Sequence, residues 1–274
     1  MTLATKVEKR DIKFAHRTIT QIWRETPAPG NPYLATECLC HGYDILALAA
    51  KRSFADTLFL LFLGELPSPD QAKLLETLAI TLINPGPRHP ATRAAMNAGV
   101  GKTDPAHILP IGLSILGGEQ LGGKEVEAAI RFLRKKSTTP VNELLTELSG
   151  NQKPPEGDYH IAPGFGSRFG GIDPMPQKII DLLLTNKACG KALRWGNDFA
   201  AALHPQNMGW LAPGVAAAVF CDLGFLPQAG AGMYQLLAAP GILAHGLELA
   251  NKPISAMPFL DEDHYVIEPE ARKK

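Results

Sequence analysis

The sequence predicts an all-α protein, and three observations predict it. Apolar residues recur at spacings of three and four, strict two-residue alternation is nearly absent, and glycine and proline fall mostly between the periodic segments. The chain has 274 residues, 45% of them hydrophobic, enough to bury a core as one large domain or as one large and one small. Lys plus Arg and Asp plus Glu number 27 each, so no basic surplus points to nucleic acid and there is no acidic tail. Cys38, Cys40, Cys189 and Cys221 are sparse, and "MTLATKVEKRDIKF" lacks the apolar core of a secretory signal. The expectation is a reduced, cytoplasmic protein. The most apolar runs, "ILPIGLSIL" and "LAPGVAAAVFCDLGFL", are shorter than a bilayer crossing, and the second carries Asp222. Both read as buried helices, with no membrane partner.

Taken in chain order, "IWRETPAPGNPY" has the aromatic and proline content of an arm that packs on the body or on a second subunit. In "SFADTLFLLFLGELPSPDQAKLLETLAITLI" one apolar helix stops at Gly64. Ser68 then caps the next, with Pro69 in its first turn and Gln71 completing a capping box. Further helices are expected in "PATRAAMNAG", "PAHILPIGLSILGG", "KEVEAAIRFLRKK", "PVNELLTELSG", "PQKIIDLLLTNKA", "KALRWGNDFAAALH", "GVAAAVFCDLG" and "AGMYQLLAAPGILAHGLELANK". Pro110 and Pro240 are expected to kink or break theirs. The polar "SGNQKPPEGDYHIAPGFG" is the longest break and reads as a boundary or a flexible arm.

Several motifs fail on spacing. "GVGKT" ends like a phosphate-binding P-loop, but the pattern needs glycine where Met96 stands. The glycine-rich loop 163–171 is not G-x-G-x-x-G, and no strand is expected before it. Cys38, Cys40 and His41 are too few ligands for a structural zinc site, so no metal is expected. No G-x-S-x-G elbow is present, and Ser167 has no base at a readable spacing.

Four ordered blocks carry a family resemblance. "HGYDILALAAKRSFADTLFLLFLGELPSPDQ" resembles the R-G-Y-D-I helix and L-L-x-G-E-L-P turn of the citrate synthase superfamily, with His41 in place of the usual arginine. "LSILGGEQLGGKEVEAA" is similar to G-P-L-H-G-G-A-N-E, and "IAPGFGSRFGGIDPMPQKIIDLL" to G-F-G-H-R followed by D-P-R. "APGVAAAVFCDLGFLP" and "LLAAPGILAHGLE" resemble N-V-D-G through D-L-G-F-P and A-R-V-P-G-L-x-A-H-A-L-E of the short citryl-CoA lyase-like branch. The blocks span the chain from about His41 to Glu248.

The resemblance implies a citrate synthase-like fold with a large and a smaller helical domain. The large one would be discontinuous, residues 1–124 with 213–274, and the small one 125–212 would carry the glycine-rich loop. It implies a homodimer, and CoA or an acyl-CoA as a dissociable ligand with no tightly bound cofactor. In the family's chemistry a carboxylate removes a proton from an acetyl thioester, one histidine stabilises the enol, and another handles the carbonyl of a 2-oxo acid. Arginines clamp the substrate carboxylates, because a planar fork meets a carboxylate with two hydrogen bonds.

Transferred position by position, that set is missing here. Leu121 falls on the first histidine and Ser167 on the second, while the neighbouring Arg168 is kept. Met175 replaces one clamping arginine and Ala238 another. Pro213 falls where the catalytic aspartate belongs, or Gly209 if Asn207 is the anchor. His245 matches the histidine of A-H-A-L-E. Candidate binding residues are therefore Gly166, Ser167, Arg168, Glu119 and His245, with Glu119 as readily a solvated acid and His245 as readily a core histidine. His89, His107, His160, His204 and His264 show no spacing that demands function. Two functions stay open. One is a pseudoenzyme that binds an acyl-CoA or a carboxylate, alone or paired with an active relative; the other is a diverged carbon-carbon lyase or acyltransferase that uses other residues.

Overall fold

The computed structural model describes residues 18–148, 157–258 and 260–268. The chain forms two compact units, Met1–Leu66 and Pro67–Lys274.

The first unit combines a three-stranded antiparallel sheet with two helices. Strand β1 (Trp23–Ala28) pairs with β2 (Asn31–Cys40) across a turn at Gly30, with a register shift beside Pro27. His41 and Gly42, both at positive φ, close a two-residue turn into β3 (Tyr43–Asp44), since paired left-handed residues match the twist of adjacent strands. Asp44 caps α1 (Ile45–Lys51), and Ser53 with Asp56 forms a capping box on α2 (Phe54–Leu63), which ends at left-handed Gly64. Cys40, Leu48 and Leu60 make the small core of this unit. The region read as an arm is thus a hairpin, and Tyr33 and Leu34 are exposed on it.

The second unit begins with α3 (Pro69–Leu82), where Ser68 and Gln71 form the expected capping box over Pro69. Helices α4 (Pro90–Val100), α5 (Pro105–Leu116), α6 (Gly123–Lys136) and α7 (Val141–Leu148) follow. After the residues outside the description come β4 (Tyr159–Ala162) and β5 (Phe165–Ser167), then α8 (Pro174–Leu183) and α9 (Lys191–Leu203). Strand β6 (Gly209–Trp210), α10 (Ala212–Asp222) and α11 (Pro227–Ala250) complete the unit. The segment "SGNQKPPE" of the expected boundary lies outside the described residues.

Helix α11 is the spine, packed along α3, α4, α5, α6 and α10. It meets α4 backbone to backbone: a Cβ on Gly99 would lie 2.0 Å from the Gly246 carbonyl oxygen. Pro110 and Pro240 sit inside α5 and α11, which continue through them rather than breaking. The lost ladder bond is offset by outside contact at the second site, where Gly241 N–H donates to the Ile83 carbonyl at 2.9 Å. At the other end of the unit Asp222 accepts from the backbone N–H groups of Gly190, Ala192 and Leu193, so the end of α10 caps the start of α9.

The small sheet β4-β5-β6 corrects one expectation. A strand does precede the glycine-rich loop, although it leads into another strand and not into a helix. Phe165 on β5 stacks within 4.4 Å of Trp210 and within 4.9 Å of Phe199, centroid to centroid. That aromatic cluster fixes the loop on α9.

Candidate functional site

The loop between β4 and β5 turns at Gly164, whose φ of +82° suits glycine. Its position also leaves no room for a side chain, because a Cβ would lie 2.4 Å from the Gly214 Cα. The Gly164 carbonyl accepts from Leu211 N–H at 2.9 Å, and its own N–H donates to Glu125 Oε1 at 3.2 Å. Past β5, Arg168 and Gly171 exchange two backbone hydrogen bonds around Phe169 and Gly170, both at positive φ. Arg168 Nε donates to Asp158, 3.1 Å from Oδ2, and the guanidinium lies 5.7 Å from the centroid of the exposed Phe169 ring.

Glu125 is the centre of the arrangement. It sits on the buried stripe of α6 with Val126, Ala129, Ile130 and Leu133, and its side chain is 3% exposed. Burying a carboxylate requires partners, and it has three. Leu121 N–H donates to Oε2 at 2.8 Å, Gly164 N–H to Oε1, and His160 Nδ1 lies 2.8 Å from Oε1. One carboxylate therefore ties together the loop before α6, the glycine-rich loop and β4. Its hydrogen bond holds the His160 imidazole above its ordinary value, against the opposing effect of burial. The other ring nitrogen, Nε2, is buried with no hydrogen-bond partner among the described residues.

Leu121 adopts φ of +54° and is buried. Its carbonyl accepts from His89 Nε2 and from the Tyr234 hydroxyl, both at 3.3 Å. His89 Nδ1 accepts from Ala91 N–H at the start of α4, so Nε2 carries the proton. Burial first, and the nearby Arg168 charge, push His89 below its ordinary value. Burial raises the Tyr234 phenol beyond the ordinary tyrosine range.

A cavity of about 330 Å³ opens beside this hub, lined by Glu119, Lys124, Glu125, His160 and the apolar Ile161 and Pro163 among others. Glu119 and Lys124 form an exposed ion pair at it. Glu119 thus shares the cavity with the hub. Gly166 sits in the central strand, paired with His160 and Gly209. Ser167 is fully buried opposite Tyr159, with its hydroxyl unpartnered among the described residues. His245 faces Asn84, 3.2 Å from its amide nitrogen, and does not line the cavity. Pro213 is buried in the first turn of α10, Ala238 is buried in α11, and Met175 is exposed at the start of α8. No cluster of three or more metal-ligating side chains occurs among the described residues.

Glu125 and His160 escaped the sequence reading. The one local signal was an acid on the apolar stripe of α6; nothing in the spacing connects it to His160.

The helical fold is the one seen in solved citryl-CoA lyase, ATP citrate lyase and citrate synthase structures. The chain is similar to the citryl-CoA lyase of Hydrogenobacter thermophilus, with a TM-score of 0.75 and 22% identity over 94% of this chain and 96% of that one. It matches an ATP citrate lyase of Methanosaeta concilii in complex with (3S)-citryl-CoA (TM-score 0.67, 17% identity), spanning 92% of this chain and 43% of the lyase. It also matches the citrate synthase of the archaeon Thermoplasma acidophilum, bound to carboxymethyl coenzyme A and oxaloacetate, with a TM-score of 0.60 and 18% identity over 81% of this chain and 58% of that one. No family model and no curated protein sequence matches the chain. Among the described residues, no helix is long and apolar enough to cross a membrane.

Proposed function

We propose that the chain is a pseudoenzyme of the citrate synthase fold, a protein that binds an acyl-CoA or a carboxylate and has lost the standard His/His/Asp chemistry. The observation that carries this reading is the state of Leu121. Where the family motif has histidine, this chain has a buried alkyl group whose backbone N–H and carbonyl are taken up by Glu125, His89 and Tyr234. Leu121 itself supplies no side-chain proton donor. Ser167 is sealed in the sheet and Pro213 carries no acid, so neither makes up the loss. Removing one positioned acid or base costs about 10²- to 10⁴-fold in rate, and here several are gone.

Retention of an anion-binding group is supported by Arg168, which lies beside the hub and does not line the 330 Å³ cavity. Asp158 engages its Nε, while no hydrogen bond among the described residues engages its two terminal nitrogens, which suit an anion. The solved neighbours carry ligands of that kind: citryl-CoA in one and a CoA derivative with oxaloacetate in another. The reading includes the division into a discontinuous large domain, 1–124 with 213–274, and a small domain 125–212. It also includes a cytoplasmic location and action as a homodimer or beside an active relative. The exposed apolar residues Ile19, Tyr33 and Leu34 support a protein partner, because a hairpin without a covering surface is only marginally stable.

The test is thermal stabilisation by CoA, acetyl-CoA, citrate and oxaloacetate, singly and in pairs. A ligand at about a hundred times its Kd adds about 2.7 kcal/mol to the native state, so a bound ligand gives a clear rise in melting temperature. Arg168→Ala is expected to abolish that rise. No rise with any of the four would refute the pocket and leave the protein partner as the function.

A second reading, a diverged carbon-carbon lyase or acyltransferase, is favoured by the 2.8 Å Glu125–His160 pair, a carboxylate-oriented imidazole of the kind used in general acid-base catalysis. Turnover of a CoA thioester by the wild type and its loss in His160→Gln would decide for it.

A further inference from the structure

Glu125 and Asp158 act on His160 and Glu119 shares the cavity with it, and each of these three carboxylates has a cationic partner. Asp158 pairs with Arg168 at 3.1 Å, Glu119 with Lys124, and Glu125 with His160 at 2.8 Å. Arginine and lysine stay charged throughout the neutral range, whereas imidazole titrates within it. The third pair is also the most buried on its acidic side, the Glu125 side chain being 3% exposed. Its other partners, the Leu121 and Gly164 N–H groups, are dipoles that stabilise a negative charge without cancelling it. From α11 the buried phenol of Tyr234 acts on Glu125 and stays neutral. From α4, His89 is held towards its neutral form. A single proton, the one on His160, therefore sets the net charge of the inner cavity wall.

We propose that Glu125 and His160 make the cavity an anion site controlled by protonation. With the imidazolium present, the wall is neutral and admits the carboxylate or phosphate of a ligand. With the neutral imidazole, the uncompensated Glu125 carboxylate repels it. The inference rests on the reading of this region as a pocket for an acyl-CoA or a carboxylate. One further observation supports it. Hydrogen bonding to Glu125 moves the imidazole above its ordinary value of 6.5, helped by Asp158 and opposed by burial and Arg168. By linkage, an anion that favours the charged ring is bound together with a proton.

The experiment is titration calorimetry of the full chain with acetyl-CoA, CoA and citrate, from about pH 6 to about pH 9, in buffers of different ionisation enthalpy, a range chosen to include and extend above the ordinary imidazole value. The expected result is affinity that falls by up to about ten-fold per pH unit above the His160 pKa, with proton uptake of up to one per ligand bound. Response to CoA but not citrate assigns a phosphate, and response to citrate alone assigns a carboxylate; both support the site. His160→Gln can still donate to Glu125 but carries no charge. It is expected to bind at every pH as weakly as the wild type does at the alkaline end, with no pH dependence. The wild-type proton count needs no variant, so the test survives a misfolded mutant. Binding that is independent of pH, with no proton uptake, overturns the inference and leaves the pocket intact. Absence of binding by all three ligands at every pH overturns the pocket, and the inference with it.

Discussion

The Tyr234 hydroxyl donates to the Leu121 carbonyl at 3.3 Å, fastening α11 to a residue whose φ of +54° lies in the left-handed region. A non-glycine residue in that region costs on the order of 1 kcal/mol or more, so the conformation persists because its surroundings hold it. Tyr234→Phe keeps the ring and removes the donor. It is expected to lower stability by about 1 kcal/mol, the typical net worth of such a bond, as a reduced midpoint in urea with an unchanged slope. An unchanged midpoint would show that His89 holds the carbonyl alone.

His160 and His89 are expected to shape the pH dependence of stability with opposite signs. His160 is raised above 6.5 in the folded state, chiefly by its hydrogen bond to Glu125. The folded chain then binds more protons than the unfolded one, so this contribution is full below pH 6.5 and is lost as pH rises through the folded value. His89 is lowered from 6.5, chiefly by burial. Its contribution is full above pH 6.5 and is lost as pH falls through the folded value. Unfolding free energies measured from acid to alkaline pH should show a maximum between the two. His160→Gln should flatten the alkaline limb and His89→Asn the acid limb, and a variant that flattens the opposite limb would disprove the assignment.

Gly164 and Gly214 leave no space for side chains where the glycine-rich loop meets α10. A Cβ on Gly214 would lie 2.1 Å from the Gly164 carbonyl oxygen, and one on Gly164 would add a φ of +82° to its own clash. Each glycine-to-alanine change is expected to cost more than about 2 kcal/mol, since both overpacking and backbone strain contribute at such sites. Chemical denaturation measures the cost. A loss under about 0.5 kcal/mol, the range of ordinary surface changes, would mean that the loop moves aside freely.

Much of the fold was legible because its signals are local. The Ser68–Gln71 capping box, the left-handed stop at Gly64 and the stripe on α6 each depend on residues within a turn or two of one another. The short strands were not legible. Residues 23–28 carry Pro27 and little alternation, and β5 has three residues, too few for a period to show. Pro110 and Pro240 looked like kinks or breaks because a proline removes a ladder hydrogen bond. Both helices run on, and at Pro240 the neighbouring N–H finds the Ile83 carbonyl on a distant segment, which no local rule reveals. Of the candidate site residues, Glu119 and Arg168 lie around the hub, whereas His245 turned out to face Asn84.

By itself the sequence determined the helical class and most helix ends. Those are properties of single residues and of neighbours in the chain. Only the tertiary structure decided that Glu125 meets His160, that Leu121 is held by three hydrogen bonds from separate elements, and that Ser167 is sealed away. Burial and charge pairing depend on which segments the packing brings within about 3 Å, the range over which a hydrogen bond acts. Side chains far apart along the chain carry no mark of that meeting.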